Sequence, residues 1–295
     1  MLACIFAMPI RKPAVAGTWY PGSAHALALE VDRHLEAAAD QSLVVDRVAA
    51  LVVPHAGLQY SGPVAAYAYR QIRERGLDVA VLVGPSHFVS FEGVALYRAG
   101  GFDTPLGLVE IDEDCASALL AATPVVYEHP ATHAREHSLE MQLPFLRRVA
   151  PRAKIVPLLM GVQRAETARA LGDALASVVS GRRALLVASS DLSHYYDAAT
   201  ASRLDAIVIE CVSRFDADGL QRALDVQPDH ACGGGPIVAV MHAARRLGAS
   251  HAAILKYADS GDVSGDKSSV VGYLAAALGA SRGASQDGSG STPAR

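Results

Sequence analysis

Three short apolar runs in this chain each lead directly into a histidine. The runs consist mainly of Val, Leu and Ala and are bounded by Gly, Pro and Ser, which is typical of buried strands in a parallel sheet. The runs with their histidines are 48–53 with His55, 79–83 with His87, and 184–188 with His194. Because the carboxyl ends of parallel strands share one sheet edge, where open α/β sheets bind ligands, the histidines are expected to converge there. Imidazole is the commonest metal ligand and a general base, so metal chemistry is the leading hypothesis.

The composition predicts one globular domain that handles a small ligand. Of the 295 residues 51% are hydrophobic, enough for a large core. Alternating strand and helix patterns over residues 9–278 predict a single α/β domain with a mostly parallel central sheet flanked by helices. The net charge of −4 offers no basic surface to nucleic acid or an anionic membrane, so a small molecule or a peptide is the expected ligand. The Ser- and Gly-rich tail, 281–295, is expected to be disordered.

Cysteine usage favours a reducing compartment. Cys4, Cys115, Cys211 and Cys232 are widely spaced and form no CxxC pair, so neither a disulfide scaffold nor a zinc ribbon is expected. The apolar opening, 1–8, lacks the basic flank of a signal peptide and is too short to span a membrane. A cytoplasmic location is therefore the expectation.

Capping and turn signals predict several local elements. Ser61 is the expected N-cap of a helix that runs to Arg75 and stops at Gly76. The alternating pieces 94–97 and 108–111 are expected to pair as a small hairpin, since turn residues separate them.

A further helix is expected from Arg135 to Leu146, which would place His137 and Glu140 on one face. That face has metal-ligand character, but the spacing is not HExxH, so a zinc protease is disfavoured. A buried pair that supports the ligands is the alternative interpretation. His230 neighbours Cys232 and is a further candidate for such a supporting role.

The surroundings of His55 and His87 suit a binding site. His55 lies in the segment Pro-His-Ala-Gly and His87 in Gly-Pro-Ser-His, where small neighbours allow close approach of a ligand. Either histidine alone is more typical of a hydrogen-bonded structural residue. Their matching positions after two strands favour a functional pair.

Cys232 precedes three glycines and a helix that has Pro236 in its first turn, where amide groups and the helix dipole favour a thiolate. Such a thiolate serves as nucleophile, redox sensor or metal ligand, and an inert buried cysteine is the alternative. Asp191 lies three residues before His194. A carboxylate near an imidazole orients it and raises its basicity, whereas the simpler interpretation makes Asp191 a turn cap.

Six segments, taken together and in order, resemble the Memo family, whose bacterial members are also called AmmeMemoRadiSam system protein B. The resemblance covers about residues 9–278. The segments are Ala16-Gly-Thr-Trp-Tyr20, Pro54-His-Ala-Gly57, Gly84-Pro-Ser-His87, Glu136-His-Ser-Leu-Glu-Met-Gln-Leu-Pro144, Ser189-Ser-Asp-Leu-Ser-His194 and Cys232-Gly-Gly-Gly-Pro236.

This resemblance implies the fold of the class III extradiol dioxygenases, the LigB-like non-haem iron enzymes. In those enzymes two histidines and a glutamate hold Fe(II), and another histidine is the acid–base group. The resemblance assigns the ligand positions to His55 and His87 and the acid–base position to His194, with Cys232 where the dioxygenases have glutamate. A thiolate is softer than a carboxylate and favours copper(I), zinc or thiolate-bound iron, so ring cleavage does not follow from the fold.

The implied function is a mononuclear iron or copper redox site, with zinc as a further metal and no substrate specified. Asp191 would orient His194 for proton transfer, and Trp19 and Tyr20 would wall the pocket. Three alternatives fit the same residues: a non-catalytic protein that binds a peptide or metabolite, a thiol enzyme with Cys232 as nucleophile, and a zinc hydrolase. The family name also implies an AMMECR1-like protein and a radical SAM enzyme as pathway partners.

Overall fold

A large β-sheet forms where the chain concentrates aliphatic residues in short runs. The computed structural model describes residues 9–38, 47–73 and 75–280. The strands in these ranges are β1 (Ile10–Arg11), β2 (Arg47–Val53), β3 (Val79–Pro85), β4 (Val94–Leu96), β5 (Gly101–Phe102), β6 (Val109–Glu110), β7 (Val126–Glu128), β8 (Lys154–Met160), β9 (Ala184–Ser189), β10 (His194–Tyr196), β11 (His251–Asp259) and β12 (Val270–Ala280). Nine of them form one sheet, and β1, β5 and β6 form a small separate one.

The centre of the large sheet is parallel and its margins are mixed. β9 pairs in parallel with β2 on one side and with β3 on the other, and β3 pairs in parallel with β8. β12 pairs antiparallel with β2, β10 and β11, while β4 pairs antiparallel with β8 and parallel with β7. All residues of β3, and all but the first of β2, are buried, as expected for strands covered on both faces.

Helices pack on this sheet in two groups. They are α1 (Ala24–Ala37), α2 (Leu58–Arg70), α3 (Glu113–Ala122), α4 (Pro130–His133), α5 (Leu143–Val149), α6 (Ala165–Val179), α7 (Ala198–Ser213), α8 (Ala217–Val226), α9 (Gly234–Arg246) and α10 (Gly261–Ser264). α1 and α5 pack on α2, which contacts β2, β11 and β12, whereas α6 and α8 pack on α9, which contacts β2, β3 and β9. The expected α/β class, with a central sheet flanked by helices, is confirmed.

Some features lie beyond the part of the chain that the structure describes. The apolar opening at 1–8, including Cys4, and the Ser- and Gly-rich tail at 281–295 are outside it. Within the described ranges, each helix is too short or too polar to cross a membrane.

The helix expected from Ser61 begins one turn earlier. α2 starts at Leu58, has Gly57 as its N-cap and ends at Arg70. The Leu58 amide donates to the carbonyl of Trp19 at 2.8 Å, so a neighbouring segment satisfies a helix-end amide that a capping side chain would otherwise accept. The sequence around Ser61 does not contain that partner, which is why the predicted start was wrong.

Two further expectations were wrong for local reasons. Val94–Leu96 joins the large sheet beside β8, whereas Val109–Glu110 pairs with β5 in the small sheet, so the two pieces do not form one hairpin. The expected helix over 135–146 is an irregular turn, a short 3₁₀ turn and then α5. The Glu136 carboxylate accepts the amides of the next two residues, and such local bonds compete with a helix.

His133 makes the stability of the fold sensitive to acid. The side chain is 1% exposed, packs edge-on against the rings of Tyr97 and Phe102, and its Nε2 donates to the Ala95 carbonyl at 3.2 Å. Burial lowers the pKa of His133 to about 3. His133 binds a proton near pH 6.5 in the unfolded chain but only near pH 3 in the folded chain. Acid therefore favours unfolding between these two pH values.

We therefore expect the free energy of unfolding to fall as the pH drops from about 6.5 towards about 3. His133 alone contributes a slope of up to about 1.4 kcal/mol per pH unit. Urea unfolding at several pH values measures this slope, and the variant His133→Gln should show a shallower one. Identical slopes in the two proteins would contradict the assignment.

Candidate metal centre

Two histidines and a cysteine meet at the carboxyl edge of the parallel strands. His55 follows β2, His87 follows β3, and Cys232 precedes α9. The ring centroids of His55 and His87 lie 5.2 Å apart, and Cys232 Sγ lies 3.3 Å from Nε2 of His55. One ligand atom from each residue lies within 4.8 Å of the other two, a spacing that a single metal ion spans.

His55 is held by groups at the end of the neighbouring strand β9. Its Nδ1 lies 2.8 Å from Oγ of Ser189, and its backbone amide donates to the carboxylate of Asp191 at 2.7 Å. The ring is 1% exposed. Burial, together with the nearby His87 and His137, places the pKa of His55 well below 6.5, so the ring is neutral as a metal ligand must be.

Glu136 holds His87, a role that the sequence analysis missed. Its Oε1 lies 2.9 Å from Nδ1 of His87, and its Oε2 accepts the His87 backbone amide at 2.6 Å. Burial alone would raise the pKa of Glu136, but hydrogen bonds from His87 and Ser138 lower it to about 2, so the side chain is ionised. A carboxylate on the outer nitrogen of a ligating histidine is common around metals.

His87, Glu136 and His137 form a second compact group of potential ligand atoms. The Glu136 oxygens already accept hydrogen bonds from the backbone amide and Nδ1 of His87 and from the amides of His137 and Ser138. Glu136 therefore serves as a support for His87, and the cluster does not present a free carboxylate to an ion.

Cys232 is a half-buried thiol, in contrast to the thiolate expected at a helix N-terminus. Burial, with the charge of Asp191, raises the pKa of Cys232, and this desolvation outweighs the helix dipole. Gln163 fixes the backbone there, because its Nε2 donates to the Cys232 carbonyl at 2.7 Å and its Oε1 accepts the amide of Gly235. Cys232 lines a cavity of 390 Å³.

His194 and Asp191 are arranged differently from the expected pair. Nδ1 of His194 donates to the carbonyl of Leu192 at 2.7 Å, which leaves its Nε2 as an acceptor. The Asp191 carboxylate accepts the amides of His55 and Ala56, at 2.7 and 3.3 Å, so it stabilises the loop after β2. Burial raises the pKa of Asp191 to about 6. A backbone carbonyl, and not Asp191, orients the imidazole of His194.

Glu140 binds the segment 9–20, which we call the N-terminal strap. Its carboxylate forms a buried ion pair with Arg11, accepts the Tyr20 hydroxyl at 2.5 Å, and accepts the amides of residues 14 and 15. The hydroxyl of Tyr20 is thus directed to Glu140. The carboxylate of Glu140 is buried because it binds the strap, and not because it lies on a helical face with His137.

The strap carries Trp19 to the candidate site. The ring of Trp19 lies 4.2 Å from that of His137, which in turn stacks on His87 at 4.6 Å. Trp19 thus reaches the candidate ligand His87 through the ring of His137. His230 is buried elsewhere, with Nδ1 3.1 Å from the carbonyl of Leu204, and this contact gives it a structural role.

The fold and the site together define the class of this protein: a mixed α/β protein with a His-His-Cys group of candidate metal ligands at its sheet edge. The family model described as Memo-like protein matches residues 11–277. The chain belongs to the Memo family, as the sequence motifs predicted.

Relatives support this membership over almost the full length. A MEMO1 family protein of Methanosarcina mazei is 41% identical over 271 residues, covering 91% of this chain and 98% of the relative. One from Methanothermobacter thermautotrophicus is 37% identical over 272 residues, covering 90% and 98%. The crystal structure of an uncharacterised protein from Escherichia coli K12 has a TM-score of 0.52 at 16% identity, covering 77% of this chain and 99% of that one, and shows a shared fold.

The variant Glu140→Gln is expected to destabilise the protein and loosen the strap. It leaves Arg11 as a buried cation without its counter-charge, which costs about 3–5 kcal/mol in urea unfolding. Trp19 is the single tryptophan of the chain, so a red shift of its emission in the folded variant reports the strap directly. The control Glu92→Gln breaks an exposed pair with Arg164 and should leave the free energy of unfolding almost unchanged. Equal costs would contradict the locking role of Glu140.

Proposed function

We propose that this protein is a redox protein with a mononuclear iron or copper centre held by His55, His87 and Cys232. The observation that carries the proposal is the convergence of two imidazole rings and a thiol within 4.8 Å. Each imidazole is hydrogen-bonded through Nδ1, which leaves Nε2 as the ligand atom. The resemblance to the LigB-like dioxygenases supports the same three positions.

The donor set fits such an ion chemically. Two imidazoles with one sulfur suit iron, copper or zinc, since thiolate ligands select these metals. The half-buried Cys232 thiol has a raised pKa, so a cation that replaces its proton would satisfy the sulfur. When bound, the metal would supply one-electron chemistry and an open coordination position.

Other residues would bind the substrate and accept a proton from it. His194 keeps Nε2 free because its Nδ1 donates to Leu192, so it suits a proton acceptor at the site. Cavities of 390 Å³ beside Cys232 and 280 Å³ beside His87 lie on either side of Gly161. These volumes favour a small molecule or a single peptide side chain as the ligand.

A zinc hydrolase is a second candidate, because two histidines and a cysteine also form a catalytic zinc set. The raised pKa of Cys232 disfavours a metal-free thiol enzyme. The cysteines in the described ranges are free thiols, which supports a reducing, cytoplasmic location. We also propose an AMMECR1-like protein and a radical SAM enzyme as pathway partners.

Protein purified anaerobically without an affinity tag is expected to contain about one iron or copper ion per chain. Elemental analysis should show that His55→Ala and Cys232→Ser lose the metal, because each removes a ligand. His194→Gln should keep it, since His194 would move protons without binding the ion. Cys115→Ser is the matched control, because Cys115 is a buried cysteine that belongs to neither group of candidate metal ligands. Urea unfolding checks that each variant is folded.

Two results would contradict the proposal. Zinc at the same stoichiometry would replace the redox function with a hydrolase. No metal in the wild-type protein, and none after anaerobic reconstitution, would favour a non-catalytic protein that binds a metabolite or peptide in the same pocket.

A further inference from the structure

Ser189 lies at the end of β9, between the two strands that carry the histidines, and its side chain is fully buried. Its Oγ has three polar neighbours. They are the carbonyl of Ser138 at 2.7 Å, Nε2 of Gln142 at 2.8 Å and Nδ1 of His55 at 2.8 Å. Ser138 and Gln142 are fully buried as well, so water does not compete for these bonds.

The count of protons in this cluster fixes the protonation of His55. A hydroxyl has one proton to donate, and the Ser138 carbonyl can only accept it. The amide of Gln142 donates to the hydroxyl oxygen. The oxygen then has one lone pair left for His55, so Nδ1 of His55 must be the donor. The lone pair of the ring is therefore on Nε2, the atom that faces Cys232.

The amide of Gln142 cannot turn over to reverse this pattern. Its Oε1 accepts the Tyr69 hydroxyl at 2.9 Å, and its Nε2 also donates to the carbonyl of Pro54 at 3.0 Å. The other tautomer of His55 would require the Ser189 hydroxyl to leave the Ser138 carbonyl. A buried acceptor would then lose its donor, which is unfavourable.

We infer that Ser189, held by Gln142, is a positioning residue that fixes the tautomer and rotation of His55 before any metal binds. The inference rests on the proposed metal function. His87 reaches the same tautomer by another route, because its Nδ1 donates to the ionised Glu136. The two histidines are thus unequal ligands: a neutral hydroxyl orients His55, and a carboxylate orients His87 and increases its donor strength.

The tautomer is measured in metal-free protein by long-range ¹H–¹⁵N correlation spectra of ¹⁵N-histidine, with His55→Gln to assign the signal. We expect the Nδ1–H form in the wild-type protein and a mixture with the Nε2–H form in Ser189→Ala. Anaerobic titration with Co²⁺, followed by sulfur-to-cobalt absorption, should show about 10–100-fold weaker binding in Ser189→Ala. Tyr69→Phe is the matched control: Pro54 still holds the Gln142 amide, so tautomer and affinity stay unchanged.

If Ser189→Ala does not fold, Ser189→Cys replaces it, because a thiol is a much weaker hydrogen-bond partner than a hydroxyl for the Nδ1–H of His55. A wild-type His55 in the Nε2–H form, or an unchanged tautomer in the folded variant, overturns the inference. A changed tautomer with unchanged Co²⁺ affinity overturns the positioning role. The expected tautomers in a wild-type protein that does not bind Co²⁺ overturn the proposed metal function and leave the control of His55 by Ser189 standing.

Discussion

Parallel pairing of β9 with both β2 and β3 is the constraint on which the candidate site depends. It places the loop after each strand at one edge, so residues distant in sequence meet without any long excursion of the chain. The strands are buried on both faces, and a register slip would expose apolar side chains. The position of the two histidines is therefore fixed by the hydrophobic core, and the site gains its rigidity from the sheet.

Buried polar groups orient the side chains that the sheet brings together. Ser189, Gln142 and Glu136 are buried, and each is hydrogen-bonded within the protein. An unpaired polar group there would be costly, so these bonds select one arrangement of the imidazole rings. Glu140 does the same for the strap through Arg11. The buried polar side chains thus fix the arrangement of the site, whereas the aliphatic strands contribute most of the buried apolar surface.

The sequence predicted those features that depend on local pattern. The strands at 47–53, 79–85 and 184–189 lie where the three apolar runs predicted them. The α/β class and the family followed from the His-terminated strands and ordered motifs. Features that depend on distant partners were missed: Glu140 pairs with Arg11, 129 residues away, and the pKa of Cys232 depends on how deeply it is buried. Glu136 was missed because its function depends on an irregular turn.

The separation of the candidate ligands along the chain has a consequence for biosynthesis. Cys232 is 177 residues after His55, and the strap that carries Trp19 comes from the opposite end of the chain. A ribosome therefore releases both histidines well before the sulfur, and a partly made chain offers only an incomplete set of donors. The three candidate ligands therefore come within reach of one another only late in synthesis, after β9 and the segment that carries Cys232 have left the ribosome.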